Sequence, residues 1–161
     1  MDKKIRLAQK IINKIEYLNI ASITPDGKPW NTMVYTAFDE NLNFYWLSWK
    51  NNQHSVNVRN SGNVFCTVYD STQLAGTGVG LYFSGKAKEL ANPLEMLIGI
   101  KVMYKRSKHK VRDIKEFLTH FPRRVYRFTP EKAWVNGDSD IDGNFIDVRI
   151  ELDLKKLKNN L

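Results

Sequence analysis

The dipeptide Asp26-Gly27 sits between two extended runs, residues 18–24 and 29–38, and commits the early chain to a tight hairpin. Two antiparallel strands so close to the start require further strands to cover them, because an isolated hairpin is marginal in water. The sequence supplies them. A polar turn over 39–43 leads to the aromatic strand 44–49, and strands follow at 64–69, 81–90, 124–135 and 145–152. Helical spacing is confined to a few places. Ile5, Ala8, Ile12 and Ile15 recur on one face with lysines opposite, so an N-terminal helix occupies residues 3–17 of the leading segment 1–17. A short helix is expected from His54 to Asn60. Asn92-Pro93-Leu94-Glu95 is a helix start, with Asn as cap and Pro at the first position, and opens a helical insert of two helices over 93–121. The pattern is α+β and mainly β, an antiparallel meander curled into a barrel with flanking helices. No repeat or low-complexity linker divides residues 1–161, so a single domain is expected.

Charge narrows the function classes. The net charge is +8, and residues 101–132, with eleven basic against three acidic side chains, carry all of it. A local cluster of this kind suits a solvated helical face or an anionic small molecule. No zinc-finger, helix-turn-helix or RNA-recognition signature accompanies it, which disfavours nucleic acid. The single cysteine, Cys66, excludes an internal disulfide. No secretory signal or membrane-length apolar run is visible, so the expectation is a cytoplasmic protein with no membrane partner.

Two motifs resemble sites and are read otherwise. The run 138–143 matches the first half of a calcium loop, but position twelve is Arg149 where a bidentate Glu is needed, so it reads as a polar hairpin turn. Gly76-Thr77-Gly78-Val79-Gly80 lacks the Lys-Ser/Thr of a phosphate loop and precedes a strand. It is either a plain turn or a backbone lying close to a flat ligand. His54, His109 and His120 share no metal-ligand spacing, so no metal site is expected. No catalytic acid, base or nucleophile can be named.

The strongest candidate is Phe44-Tyr45-Trp46-Leu47-Ser48-Trp49, apolar on both faces, followed by the donors Lys50-Asn51-Asn52-Gln53-His54-Ser55 at a helix start. One face is core, and the other needs a subunit or a planar cofactor. Free amides at the helix start favour an anion. Ordinary core with a capped helix accounts for these residues equally well.

Taken in order, Tyr45-Trp46-Leu47-Ser48, Gln53-His54-Ser55, Asn57-Val58-Arg59-Asn60, Val68 to Thr72, Gly78 to Tyr82, Val125 to Pro130 and Ala133-Trp134-Val135 resemble the pyridoxamine 5'-phosphate oxidase-like FMN-binding split barrels, including their general stress protein branch. The resemblance spans roughly residues 10–152. It implies a six-stranded antiparallel split β-barrel that forms a homodimer with FMN at the subunit interface. Asn31, Thr32, Met33 and Val34 would face the flavin ring. Trp46, Leu47, Ser48 and Trp49 would lie beside it. Gln53, His54 and Ser55 would reach the ribityl chain and phosphate, and Trp134 and Arg149 would add C-terminal contacts. The implied function is an FMN-binding flavoprotein, a flavin-dependent oxidoreductase using a small-molecule electron donor or acceptor. A non-enzymatic binding or redox-sensing stress protein holding FMN, haem or a deazaflavin is the alternative. The chain departs from the pattern at Val56, where relatives carry a phosphate-binding Lys that Lys50 or Arg59 would have to replace. It also departs at Asn31 and Thr36, where the oxidases carry Arg and Lys, and at Phe145 and Asp147, where they hold substrate. Oxidation of pyridoxamine phosphate is therefore not expected.

Overall fold

The computed structural model describes residues 3–109, 113–118, 120–141, 144–159 and 161. The chain runs α1 (Lys3–Lys14), β1 (Tyr17–Ile23), β2 (Pro29–Tyr35), β3 (Ala37–Phe38), β4 (Phe44–Trp49), α2 (Gln53–Asn60), β5 (Asn63–Tyr69), β6 (Gly80–Glu89), α3 (Pro93–Ser107), a 3-10 turn (Ile114–Phe117), β7 (Arg123–Ile141), β8 (Asn144–Leu152) and α4 (Leu154–Lys158). All strand pairs are antiparallel, in the order β2-β1-β5-β6-β7-β4-β3, with β8 added beside β7.

The sheet has eight strands, not six. Two causes account for the difference. The extended run 29–38 breaks at Thr36, a buried residue whose hydroxyl donates to the Tyr45 carbonyl at 2.8 Å and whose amide donates to the Glu16 carbonyl. Before the break the chain pairs with β1, and after it with β4. The two ends of the sheet are thus joined by one residue, and the sheet curls round to meet itself, as a barrel requires. The second cause is β8, the strand expected at 145–152, which lies beside the path of the other seven and among the described residues pairs with β7 alone.

Gly27, at φ +84, turns the β1–β2 hairpin, a conformation costly for any residue with a Cβ. Helix α1 ends three residues before the expected 17. The Arg106 guanidinium donates to the carbonyls of Ile12, Asn13 and Ile15 there, at 3.1, 3.1 and 2.8 Å, and satisfies groups a helix end leaves open. Among its described residues the insert contains one α-helix and a 3-10 turn where two helices were expected. Asn92 caps α3 through Leu94 N–H, as its sequence indicates. Strand β7 continues six residues past Val135 because β8 pairs along it down to Ile141 opposite Asn144. The flanks of the acidic run are therefore strands; the turn itself, 142–143, lies outside the described residues. Helix α4 had no clear sequence signal.

Two cores result. The barrel interior holds Phe44, Phe83 and Phe128, with Trp46 stacked on Tyr126 at 5.4 Å and 13°. A second core, with Tyr45, Met96, Ile100, Tyr104 and Val125, pins α3 to the outside of β3, β4 and β7. No helix among the described residues is long and apolar enough to cross a membrane.

Candidate functional site

Strand β4 delivers its last residues to the start of α2, and a chain of side-chain hydrogen bonds forms at that junction. Asn52 Nδ2 donates to Ser48 Oγ at 2.9 Å, and Ser48 Oγ lies 2.8 Å from His54 Nε2. Ser48 and His54 are buried. Burial disfavours the imidazolium and holds the His54 pKa below its ordinary value. Because Asn52 is committed to Ser48, its side chain makes no capping bond to α2. The first-turn amides of the helix are left without a side-chain partner.

This junction opens on a cavity of about 750 Å³. One wall is β2, through Thr32, Met33, Val34 and Tyr35. β2 pairs only with β1, so its far edge carries backbone donors and acceptors with no strand partner. Leu47, Ser48, Asn52 and His54 form the second wall. The third comes from the insert: Met103, Tyr104 and Ser107 at the end of α3, then His109, with Arg123 opening β7.

Six of the sequence-derived candidates therefore meet: Thr32, Met33, Val34, Leu47, Ser48 and His54. The others do not join them. Asn31 lines a separate hollow with Trp30, Ile23 and Phe65. Trp46 is fully buried in the barrel core and does not line the cavity. Trp49 points to solvent at the strand end, 54 % exposed. Gln53 bonds to Asn57, and Ser55 is buried under α2. Trp134 and Arg149 come together elsewhere, on the outer face of β5–β8. Trp134 stacks on Phe65 at 6.1 Å, and the Arg149 guanidinium lies 4.2 Å from the Tyr82 ring centre.

Of the two cations considered as substitutes for the lysine absent at Val56, Arg59 is committed elsewhere. It bonds to Glu89, Tyr126 and the Lys50 carbonyl. Asn52 stands among the donors the sequence indicated, whereas Tyr35, Met103, Tyr104, Ser107, His109 and Arg123 carried no residue-level signal. The signal for the last five was the basic segment 101–132, which marked the region without singling out residues. Cys66 is buried, and its thiol pKa is pushed up by that burial, which makes it an inert core residue.

No family model and no curated protein matches the chain. Solved structures do. A haem-binding protein from Mycobacterium smegmatis superposes with a TM-score of 0.68 at 10% identity, over 98% of this chain and 61% of that one. The chain thus spans about three fifths of that protein's length. HutZ, the haem storage protein from Vibrio cholerae, gives 0.62 at 14% over 78% and 89%. An FAD-binding protein from Mesorhizobium loti gives 0.60 at 16% over 84% and 94%. At such identities the likeness shows the fold, and this chain has the curled antiparallel barrel shared by these haem- and flavin-binding proteins.

Proposed function

We propose that this protein is an FMN-binding flavoprotein of the pyridoxamine 5'-phosphate oxidase-like type, acting as a flavin-dependent oxidoreductase on a small-molecule electron donor or acceptor, without being a pyridoxamine phosphate oxidase. The observation that carries the reading is the cavity between the open edge of β2 and the Ser48–Asn52–His54 junction. Its volume lies within the roughly 300–1,000 Å³ of small-ligand sites. It offers unpaired strand backbone to a polar ring edge, apolar Val34, Leu47 and Met103 to a ring face, and side-chain donors at one end. Bound flavin would supply hydride or single-electron acceptance. The chain's own part is to hold the ring, orient it and keep bulk water from it.

The homodimer belongs to the same reading. Ile23, Met33 and Tyr69 are all about half exposed or more on one face of the neighbouring strands β1, β2 and β5. An apolar face of this kind suits a subunit contact. Met33 also lines the cavity, so a second copy seated there would cover the cavity mouth. Trp134 and Arg149 sit on the continuation of this face and would complete the partner's site.

Haem is the second reading, supported by the descriptions of two structural neighbours and by His109 at the cavity rim. A visible spectrum of the purified protein after incubation with FMN or haemin separates the two. Flavin absorption bands and quenched flavin fluorescence are expected. A Soret band with no flavin uptake replaces the first reading with the second, and uptake of neither overturns both.

A further inference from the structure

We infer that Arg123, seconded by His109, forms the anion-holding end of the cavity and takes over the phosphate charge left unmatched at Val56. The inference rests on the flavin reading for the rest of the ligand, but the anion site itself stands on the chain's own geometry.

Two consecutive arginines open β7, and they have different fates. Arg124 pairs opposite Ser48, and its guanidinium lies 3.3 Å from Glu89 and bonds to the Phe121 and Arg123 carbonyls. Arg123 pairs opposite Trp49 and lines the cavity half-buried. Among the described residues its guanidinium has no hydrogen-bond or ion-pair partner. The Lys50 amide bonds to the Pro122 carbonyl at 2.8 Å and fixes the start of β7 against the β4–α2 junction. Arg123 is thereby held beside Ser48, Asn52 and the uncapped start of α2. His109 closes the same rim from the end of α3.

None of the residues lining this cavity is acidic. A half-buried arginine with no carboxylate partner, lining one cavity with hydroxyl, amide and imidazole side chains, is a site for an oxyanion. Of the other cations near the junction, Arg59 is tied to Glu89, and Lys50 is not among the residues lining the cavity. The ligand chemistry is a phosphate or carboxylate group at the end of a planar ring system. FMN and haem both carry such a group.

The test compares FMN with riboflavin, which has the same ring and no phosphate, on wild type, Arg123→Gln, Arg123→Lys and His109→Gln, with inorganic phosphate as a separate probe. Wild type is expected to bind FMN more tightly than riboflavin. Arg123→Gln should lose about tenfold in FMN affinity, as removal of a charge-assisted bond to an anion does, and leave riboflavin binding unchanged. Arg123→Lys should keep part of the difference, and His109→Gln should lose less. Inorganic phosphate should raise the melting temperature of wild type and not of Arg123→Gln. Equal loss of both flavins in Arg123→Gln, or a phosphate shift that persists there, overturns the inference. If wild type binds neither flavin, the flavin reading fails alone, and the phosphate arm still decides: a shift abolished in Arg123→Gln upholds the anion site, and no shift in wild type sinks it.

Discussion

Two tryptophans from similar aromatic strands end up in opposite environments. Trp46 lies flat on Tyr126 inside the barrel, out of reach of solvent, while Trp134 lies on Phe65 outside it, half-buried, under the reach of Arg149. The first belongs to the wall behind the cavity. The second belongs to an outer face that, within one chain, covers nothing. The difference shows how labour is divided in this fold. The barrel interior and the α3 core hold the cavity in shape, and the outer face presents a stacked aromatic surface. Val34, Leu47, Met103 and Tyr104 of the cavity wall belong to or pack against the two cores. The Phe65–Tyr82–Trp134–Arg149 group is braced only by its own members.

The largest expected effect breaks this comparison at its widest point. Trp46→Ala removes a fully buried ring and should cost about 3–5 kcal/mol of folding stability, read as a fall in the urea midpoint. Trp134→Ala forfeits mainly an aromatic pair and should cost about 1 kcal/mol. Its larger consequence is on association: sedimentation should show a weakened dimer while the monomer stays folded. Equal stability losses for the two variants would contradict the division between core and outer face.

The next two variants act on helix α3, whose end supplies one cavity wall. A Cβ added at Gly99 would stand 2.8 Å from Tyr45 Cδ1 and 2.9 Å from Val125 Cγ1, contacts too close for atoms that cannot move away. Gly99→Ala should therefore push α3 off β4 and cost about 1–3 kcal/mol, as overpacking does. Arg106→Met removes the cation that bridges α3 to the end of α1 and sits 5.2 Å from the Phe38 ring centre. Its burial lowers the Arg106 pKa, and the solvation cost this implies offsets part of the gain from its bonds, so a loss of about 1–2 kcal/mol is expected. Both changes should weaken flavin uptake by titration and leave self-association intact, the reverse of Trp134→Ala.

Much of the fold was legible because it depends on local signals. The Asp26-Gly27 hairpin, the Asn92-Pro93 helix start and the alternating strands each follow from a few neighbouring residues. What escaped depended on pairing at a distance. Nothing around Thr36 marks it as a corner; it becomes one because its hydroxyl meets the Tyr45 carbonyl across the strand that follows. The strand 44–49 is apolar on both faces, and only the register shows that Tyr126 lies against the Trp46 ring. Arg123 and Arg124 are indistinguishable in sequence. One is spent on Glu89 and the other faces the cavity, a difference set by the side of β7 on which each falls.

The smallest effect separates the two regions by protons. His54 is buried on the cavity side, and burial keeps its pKa below that of an ordinary imidazole, near 6.5. As pH falls through that value the unfolded chain takes up the proton first and the folded chain resists it. The unfolded state then binds more protons, so stability drops as pH is lowered below about 6.5 and is unaffected by this group above it. The drop levels off once the folded protein protonates as well. His54→Gln can keep a hydrogen bond to Ser48 and has nothing to titrate, so its urea midpoint should vary less between pH 5 and pH 7 than that of wild type. The gap between the two proteins should be a fraction of the Trp46→Ala cost. Arg149→Gln, on the outer face, should leave the wild-type pH profile unchanged in shape. A profile flattened by Arg149→Gln and not by His54→Gln would move the titrating site to the wrong side of the barrel and undo the assignment of His54 to a desolvated cavity wall.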